Sequence, residues 1–198
     1  MRYILTLLLF IVLAPNAFAQ TPAEDIVTAA RERTFSGVRY DGKYVGLEYP
    51  GGDVPADIGV CTDVIIRTYR NALDFDFQKA VHEDMKANFS AYPEIWGLSR
   101  TDRNIDHRRV PNMEVFLNRQ GARLTVTTKP EDYLPGDLVT WRLAGNLPHI
   151  GVVSDRKTPE GVPLIIHNIG SGPKEDALLF TIPTHRHYRF LPPKDGAS

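Results

Sequence analysis

One cysteine and two of the six histidines carry most of the chemistry available to this chain. Cys61 follows Gly59-Val60 and opens a stretch, to about Leu73, in which Val64, Ile65, Tyr69 and Leu73 recur at helical spacing. The unpaired amides of a helix N-terminus stabilise negative charge, which lowers a thiol's pKa below its free value of about 8.5. The thiolate is the nucleophile, and the same amides can hold an oxyanion. His149 begins the apolar run HIGVVSD, and His167 closes PLIIHN. A nucleophilic thiol needs a base within reach and a third polar group that sets the base's tautomer. Two strand ends lying on a helix N-terminus supply both. The same residues also fit a buried inert thiol and two satisfied structural histidines. Asn168, beside His167, is the other candidate orienter; residues alternate faces along a strand, so only one of the two points at His149. Asp63, two residues past the thiol, reads as a cap of the first helical turn or as part of a substrate pocket.

Other polar clusters are weaker. His82-Glu83 opens a zincin-like pattern, but Lys86 stands where the second histidine is required. His185 and His187 share a strand face and read as surface polar residues. Cys61, His149 and His167 are acceptable zinc ligands, since a catalytic zinc takes three ligands plus water, but nothing in the pattern requires one; neither a metal nor an organic cofactor is expected. Asp102, Asp106, His107, Arg108 and Arg109 form a dense polar segment. It reads either as a solvated loop with internal ion pairs or as a rim that recognises the charged groups of a peptide, with Asp106 and His107 as binding candidates. No phosphate-binding glycine loop, Gly-x-Ser-x-Gly elbow or CxxC occurs.

The elements that must position these groups follow from periodicity. Helices are expected over Pro22–Arg33, from Cys61, over Phe77–Asn88 and from Pro111 to the stop at Gly121. Short strands follow over 124–127, 137–142, 149–154, 164–167, 178–182 and 187–191, punctuated by Pro and Gly. Helices first and strands afterwards predict an α+β fold, N-terminal helices packed on a mostly antiparallel sheet of five to six strands. With 198 residues and 42% apolar content, one domain over residues 20–198 is expected. A net charge of −1 offers no basis for binding nucleic acid, and one cysteine cannot form an internal disulfide. Residues 1–19 have Arg2, an apolar stretch from Ile4 to Leu13 and Ala17-Phe18-Ala19. They read as a Sec-type signal peptide cleaved after Ala19, which implies a periplasmic or secreted monomer with no remaining membrane span.

A resemblance sharpens this reading. Cys61 at a helix start, Pro135-Gly136-Asp137 before a strand, His149-Ile150-Gly151-Val152-Val153 and then His167 resemble the ordered core of NlpC-type cell-wall peptidases of the papain-like superfamily. YPGGDVP at 49–55, GVCTDV at 59–64, VHEDM at 81–85, NIDHRRVPN at 104–112, HIGVVSD at 149–155, HNIG at 167–170 and HYRF at 187–190 resemble the bacterial domain-of-unknown-function family 1287, over nearly all of residues 20–198. The resemblance implies a cysteine hydrolase of amide bonds, in peptidoglycan stem peptides. Cys61 would be nucleophile, His149 base and then acid, and His167 orienter. Tyr49 is a candidate oxyanion donor by analogy with a tyrosine upstream of the nucleophile, with core or turn packing as its other reading. One departure is plain: NlpC-type chains have an Asp before the cysteine, whereas here Asp63 follows it. A non-catalytic envelope-binding module and an acyl or peptidyl transferase using the same three residues are the alternatives.

Overall fold

The computed structural model describes residues 20–192; the signal peptide expected over 1–19 lies outside them. Helix α1 (Pro22–Arg33) starts where a capping box can form: the Thr21 side chain accepts the Glu24 N–H and Glu24 accepts the Thr21 N–H, with Pro22 at the first helical position. Its Ile26, Val27 and Ala30 are buried. Two short parallel strands, β1 (Arg39–Tyr40) and β2 (Ile58–Gly59), precede α2 (Cys61–Leu73). That helix ends at Asp74, whose left-handed backbone (φ 56°) turns the chain. Asp76 caps α3 (Phe77–Ala87) by accepting the Gln78 and Lys79 amides. Helix α4 (Val110–Arg119) has Pro111 in its first turn and stops before Gly121, which takes φ 70°. All four helices fall where periodicity places them.

Six antiparallel strands follow: β3 (Arg123–Leu124), β4 (Leu138–Leu143), β5 (Leu147–Lys157), β6 (Pro163–Asn168), β7 (Pro173–Asp176) and β8 (Thr184–Tyr188). They form one sheet in the order β3-β8-β4-β5-β6-β7. The α+β architecture is therefore as expected, but three strands differ: the one expected over 124–127 is only Arg123–Leu124, the one expected over 187–191 lies at Thr184–Tyr188, and the third is absent. Leu178–Ile182 is a turn rather than a strand. Leu179 is buried there under Trp141 and Tyr133, and its carbonyl accepts the Trp141 indole N–H at 3.3 Å. The edge strand is instead Pro173–Asp176, immediately after the glycines that read as punctuation.

Alternation along the strands divides the core. Ile150, Val152 and Ile166 meet Val64, Ile65, Tyr69 and the other helical residues on one face. Trp141, Val153 and Ile165 join Tyr133 and Leu179 on the other. Gly151 is required where β5 has no room for a side chain against β6. A Cβ there would come within 2.5 Å of Ile165 Cγ2 and 3.2 Å of His167 Cβ.

Candidate active site

The turn that carries the cysteine is tied down on every side. Asp63 Oδ2 accepts the Val60 N–H at 2.7 Å, which caps the helix one residue before the thiol. The same carboxylate receives a two-pronged pair from Arg108, 2.8 Å to Oδ1 and 2.9 Å to Oδ2, with both side chains buried. Arg67 donates to the Ile58 carbonyl at 3.1 Å, and the Asn168 amide donates to the Gly59 carbonyl at 3.3 Å. Thr62 Oγ1 donates to the Arg108 carbonyl at 3.0 Å. Asp63 is thus a structural member of this turn, as its capping alternative anticipated.

The sulfur sits at a gap in the sheet. Pairing between β5 and β6 ends at Val152↔Ile166. The Val153 amide donates sideways to Asp137 beside β4, so the alternate amides of Val152 and Ile150 face the β6 side. With no strand partner at that level, the Ile150 N–H donates to the Cys61 sulfur instead. The amides of Cys61 and Thr62 at the start of α2 point at the same atom. The thiol therefore lies level with the backbone of β5, one residue from His149.

His149 and His167 lie on the Trp141 face and meet edge to face, with Nε2 of His149 3.0 Å from Nδ1 of His167. The His149 ring packs on Trp141, centroids 5.9 Å apart. His167 Nε2 in turn lies 2.8 Å from Oδ1 of Asp176, on β7. This chain sets both tautomers, because a carboxylate only accepts. His167 must carry its proton on Nε2 to donate to Asp176, which leaves Nδ1 an acceptor. His149 must then donate from Nε2, and its Nδ1 keeps the lone pair a base needs. The two histidines aim nitrogens at each other rather than at a common point, an arrangement that does not suit a zinc ligand pair.

Burial works against charge on each member. It pushes the Cys61 thiol up to about 11, against the lowering effect of the Ile150 amide. It pushes His149 down to about 3, with His167 adding to the effect. The surroundings thus hold a neutral thiol and a neutral imidazole. The expectation of a thiol with lowered pKa is corrected here: the helix amides are present, but desolvation outweighs them. Burial also raises the Asp176 carboxyl, but Lys174 and His167 more than offset this and keep it ionised.

Cys61 is 6% exposed, and that exposure opens into a cavity of about 570 Å³. Tyr40, Trp96, Arg108, Arg109 and Arg142 are among its walls. The polar segment expected as a solvated loop is not one: Asp106, His107 and Arg108 are buried. Asp106 accepts the Asp102 N–H at 2.6 Å, and His107 is pushed down to about 4 by burial and then by Arg108, with Asp76, Arg70 and Asp53 acting on it electrostatically. Neither lines the cavity, whereas Arg108 and Arg109 do. Tyr49 is also elsewhere, its ring 5.3 Å from that of His82 and its hydroxyl 3.4 Å from Glu83.

A family model matches residues 27–190, that of a domain of unknown function, DUF1287. The chain belongs to this family. Over 166 residues it is 50% identical to the uncharacterised protein YijF of Escherichia coli strain K12, covering 84% of this chain and 80% of that one. Among solved structures it is similar to NlpC1 from Trichomonas vaginalis, at 16% identity and a TM-score of 0.43 over 85% of this chain. This chain spans 43% of that structure's chain.

Within this family member the geometry adds two residues that the sequence reading missed. Asp176 extends the histidine pair, and the Lys-Glu-Asp run after Gly172-Pro173 was its only signal. Tyr40, paired through β1 to the residues before Cys61, lines the cavity; its pKa is raised by burial and by the nearby Cys61 and Asp63. A tyrosine so placed stays protonated and can donate.

Proposed function

We propose that this protein is an exported cysteine hydrolase that cleaves amide bonds, in peptidoglycan stem peptides, through an acyl-enzyme on Cys61. The observation that carries the reading is the directed hydrogen-bond chain from Asp176 through His167 to His149, which leaves a free lone pair on Nδ1 of His149, the residue next to the Ile150 amide that meets the sulfur. Cys61 Sγ attacks the carbonyl carbon as its proton passes to Nδ1 of His149. Each charged form is costly alone in this buried site, so thiolate and imidazolium arise together and offset each other. The oxyanion is held by the Cys61 amide and the Tyr40 hydroxyl, which takes the role expected of Tyr49. His149 then protonates the departing amine, leaving a thioester. Water attacks this thioester while giving a proton back to Nδ1, releasing a carboxylic acid and the free thiol. Trp141, packed on His149, keeps water from the histidine pair.

A periplasmic or secreted location, from the leader sequence, and the stem-peptide substrate, from the resemblance, belong to this same proposal. Digestion of purified muropeptides by residues 20–198, read by mass spectrometry, tests it. New amide-cleavage products that vanish in Cys61→Ala are expected. An undigested mixture, or equal products from Cys61→Ala, contradicts it. A product joined to an added amine in place of water would establish transfer.

A further inference from the structure

The cavity at Cys61 is walled by three arginines and, among its described lining residues, by no carboxylate. Two of the three are already neutralised. Arg108 is paired through both prongs with Asp63, and Arg142 holds Glu114 at 3.0 and 2.7 Å. Arg109 is different. Its guanidinium carbon lies 4.2 Å above the ring of Trp96, another cavity wall, which fixes the plane of the fork. Among the described residues, no carboxylate lies within ion-pair distance of it, and its Nη1 atom is buried without a hydrogen-bond partner. A buried, unpartnered guanidinium N–H costs free energy unless something accepts from it. Asp102 and Asp106 act on Arg109 only at longer range and do not offset its burial.

We infer that Arg109, stacked on Trp96, is the anchor for a free carboxylate on the ligand that occupies the Cys61 cavity. The inference rests on the hydrolase reading only in giving that ligand a scissile amide; the anchor itself requires no turnover. A planar carboxylate is the complement of a stacked, half-desolvated guanidinium, since it accepts from two N–H groups at once. The uncompensated charge of the cavity also draws anionic ligands toward it. The substrate class is thereby narrowed to peptides with a carboxylate near the bond at Cys61, and amidation of that carboxylate becomes a means of protection.

The test uses Cys61→Ala, so that binding is read without cleavage. It is titrated with acetyl-dialanine bearing a free C-terminal carboxylate and with the same peptide as its carboxamide, following the Trp96 indole N–H by NMR. The carboxylate form is expected to bind at least about tenfold more tightly, the scale of one charge-assisted hydrogen bond. Arg109→Gln in the same background should bring the two forms to equal affinity, and Arg109→Lys should retain part of the preference, a point charge without the fork. Equal binding of the two peptides to native Arg109, a preference that survives Arg109→Gln, or no response to either peptide at millimolar concentration overturns the inference. Uncut muropeptides with a preserved carboxylate preference would count against hydrolysis alone. Cleavage that is indifferent to amidation would count against this anchor alone.

Discussion

At the scale of single residues, Asp176 separates a directed relay from a mere cluster of polar groups. Its Oδ2 lies 2.5 Å from Lys174 Nζ and its Oδ1 2.8 Å from His167. In Asp176→Asn the ammonium of Lys174 would claim the amide oxygen and turn the amide nitrogen toward His167. His167 Nε2 would then have to accept, its proton would move to Nδ1, and the His149 lone pair would be spent on Nε2. The base would be lost without loss of packing. Turnover should fall by about 10² to 10⁴, the usual worth of general base catalysis. The comparison is kcat for native and Asp176→Asn protein at matched far-ultraviolet circular dichroism, and an unchanged kcat would show that the relay does not set the tautomer. Cys61, His149 and His167 were legible in the sequence because their types are rare and each opens or closes a periodic run. Whether His167 or Asn168 meets His149 was not, because face assignment depends on register, and register places Asn168 on the Gly59 carbonyl. Asp176 and Tyr40 were invisible for another reason: common residue types in short edge strands carry no local signal.

At the scale of elements, the start of α2 is held by a buried ion pair rather than by a small polar cap, for the residue at the cap position is Val60. Asp63→Asn removes the charge that compensates Arg108 and weakens the bond to the Val60 amide. Breaking one side of a buried pair typically costs about 3 to 5 kcal/mol. Urea unfolding of native and variant protein should show a loss of that size, and a loss below about 1 kcal/mol would mean that the pair is hydrated. All four helices were readable because their apolar faces and end signals agree, as at Thr21-Pro22 and Pro111…Gly121. The edge strand was not. Leu178 to Ile182 has the apolar content of a strand, but Leu179 is drawn beneath Trp141, and tertiary burial overrides the local pattern. Density of charge misled in the opposite direction at Asp102–Arg109, where the partners that bury the segment, such as Asp63, come from some forty residues away in sequence.

At the scale of the whole molecule, the buried histidines tie stability to pH. His149 and His107 are held near 3 and 4, while in the unfolded chain each titrates near 6.5. Below about pH 6.5 the unfolded chain therefore takes up protons that the native rings refuse. Stability should decline as pH falls from about 6.5 toward 4, at up to about 1.4 kcal/mol per pH unit for each histidine. Asp137 adds a separate loss at lower pH. Bonds from His187 and Arg189 outweigh its burial and hold its pKa down, so its contribution disappears only as pH falls through the carboxylate range. Urea midpoints measured between pH 7 and 4.5 should fall across that interval, and a flat profile from 7 to 5 would mean that these rings are hydrated. Such acid sensitivity is the cost of keeping His149 and His107 dry in the fold. The covalent step itself can be observed most directly by quenching the reaction of residues 20–198 with muropeptides in acid and weighing the intact protein. A mass increase equal to the acyl fragment, labile to hydroxylamine, mapped to Cys61 and absent from Cys61→Ala, is the expected result; cleavage products appearing with no adduct on Cys61, and undiminished in Cys61→Ala, would contradict it.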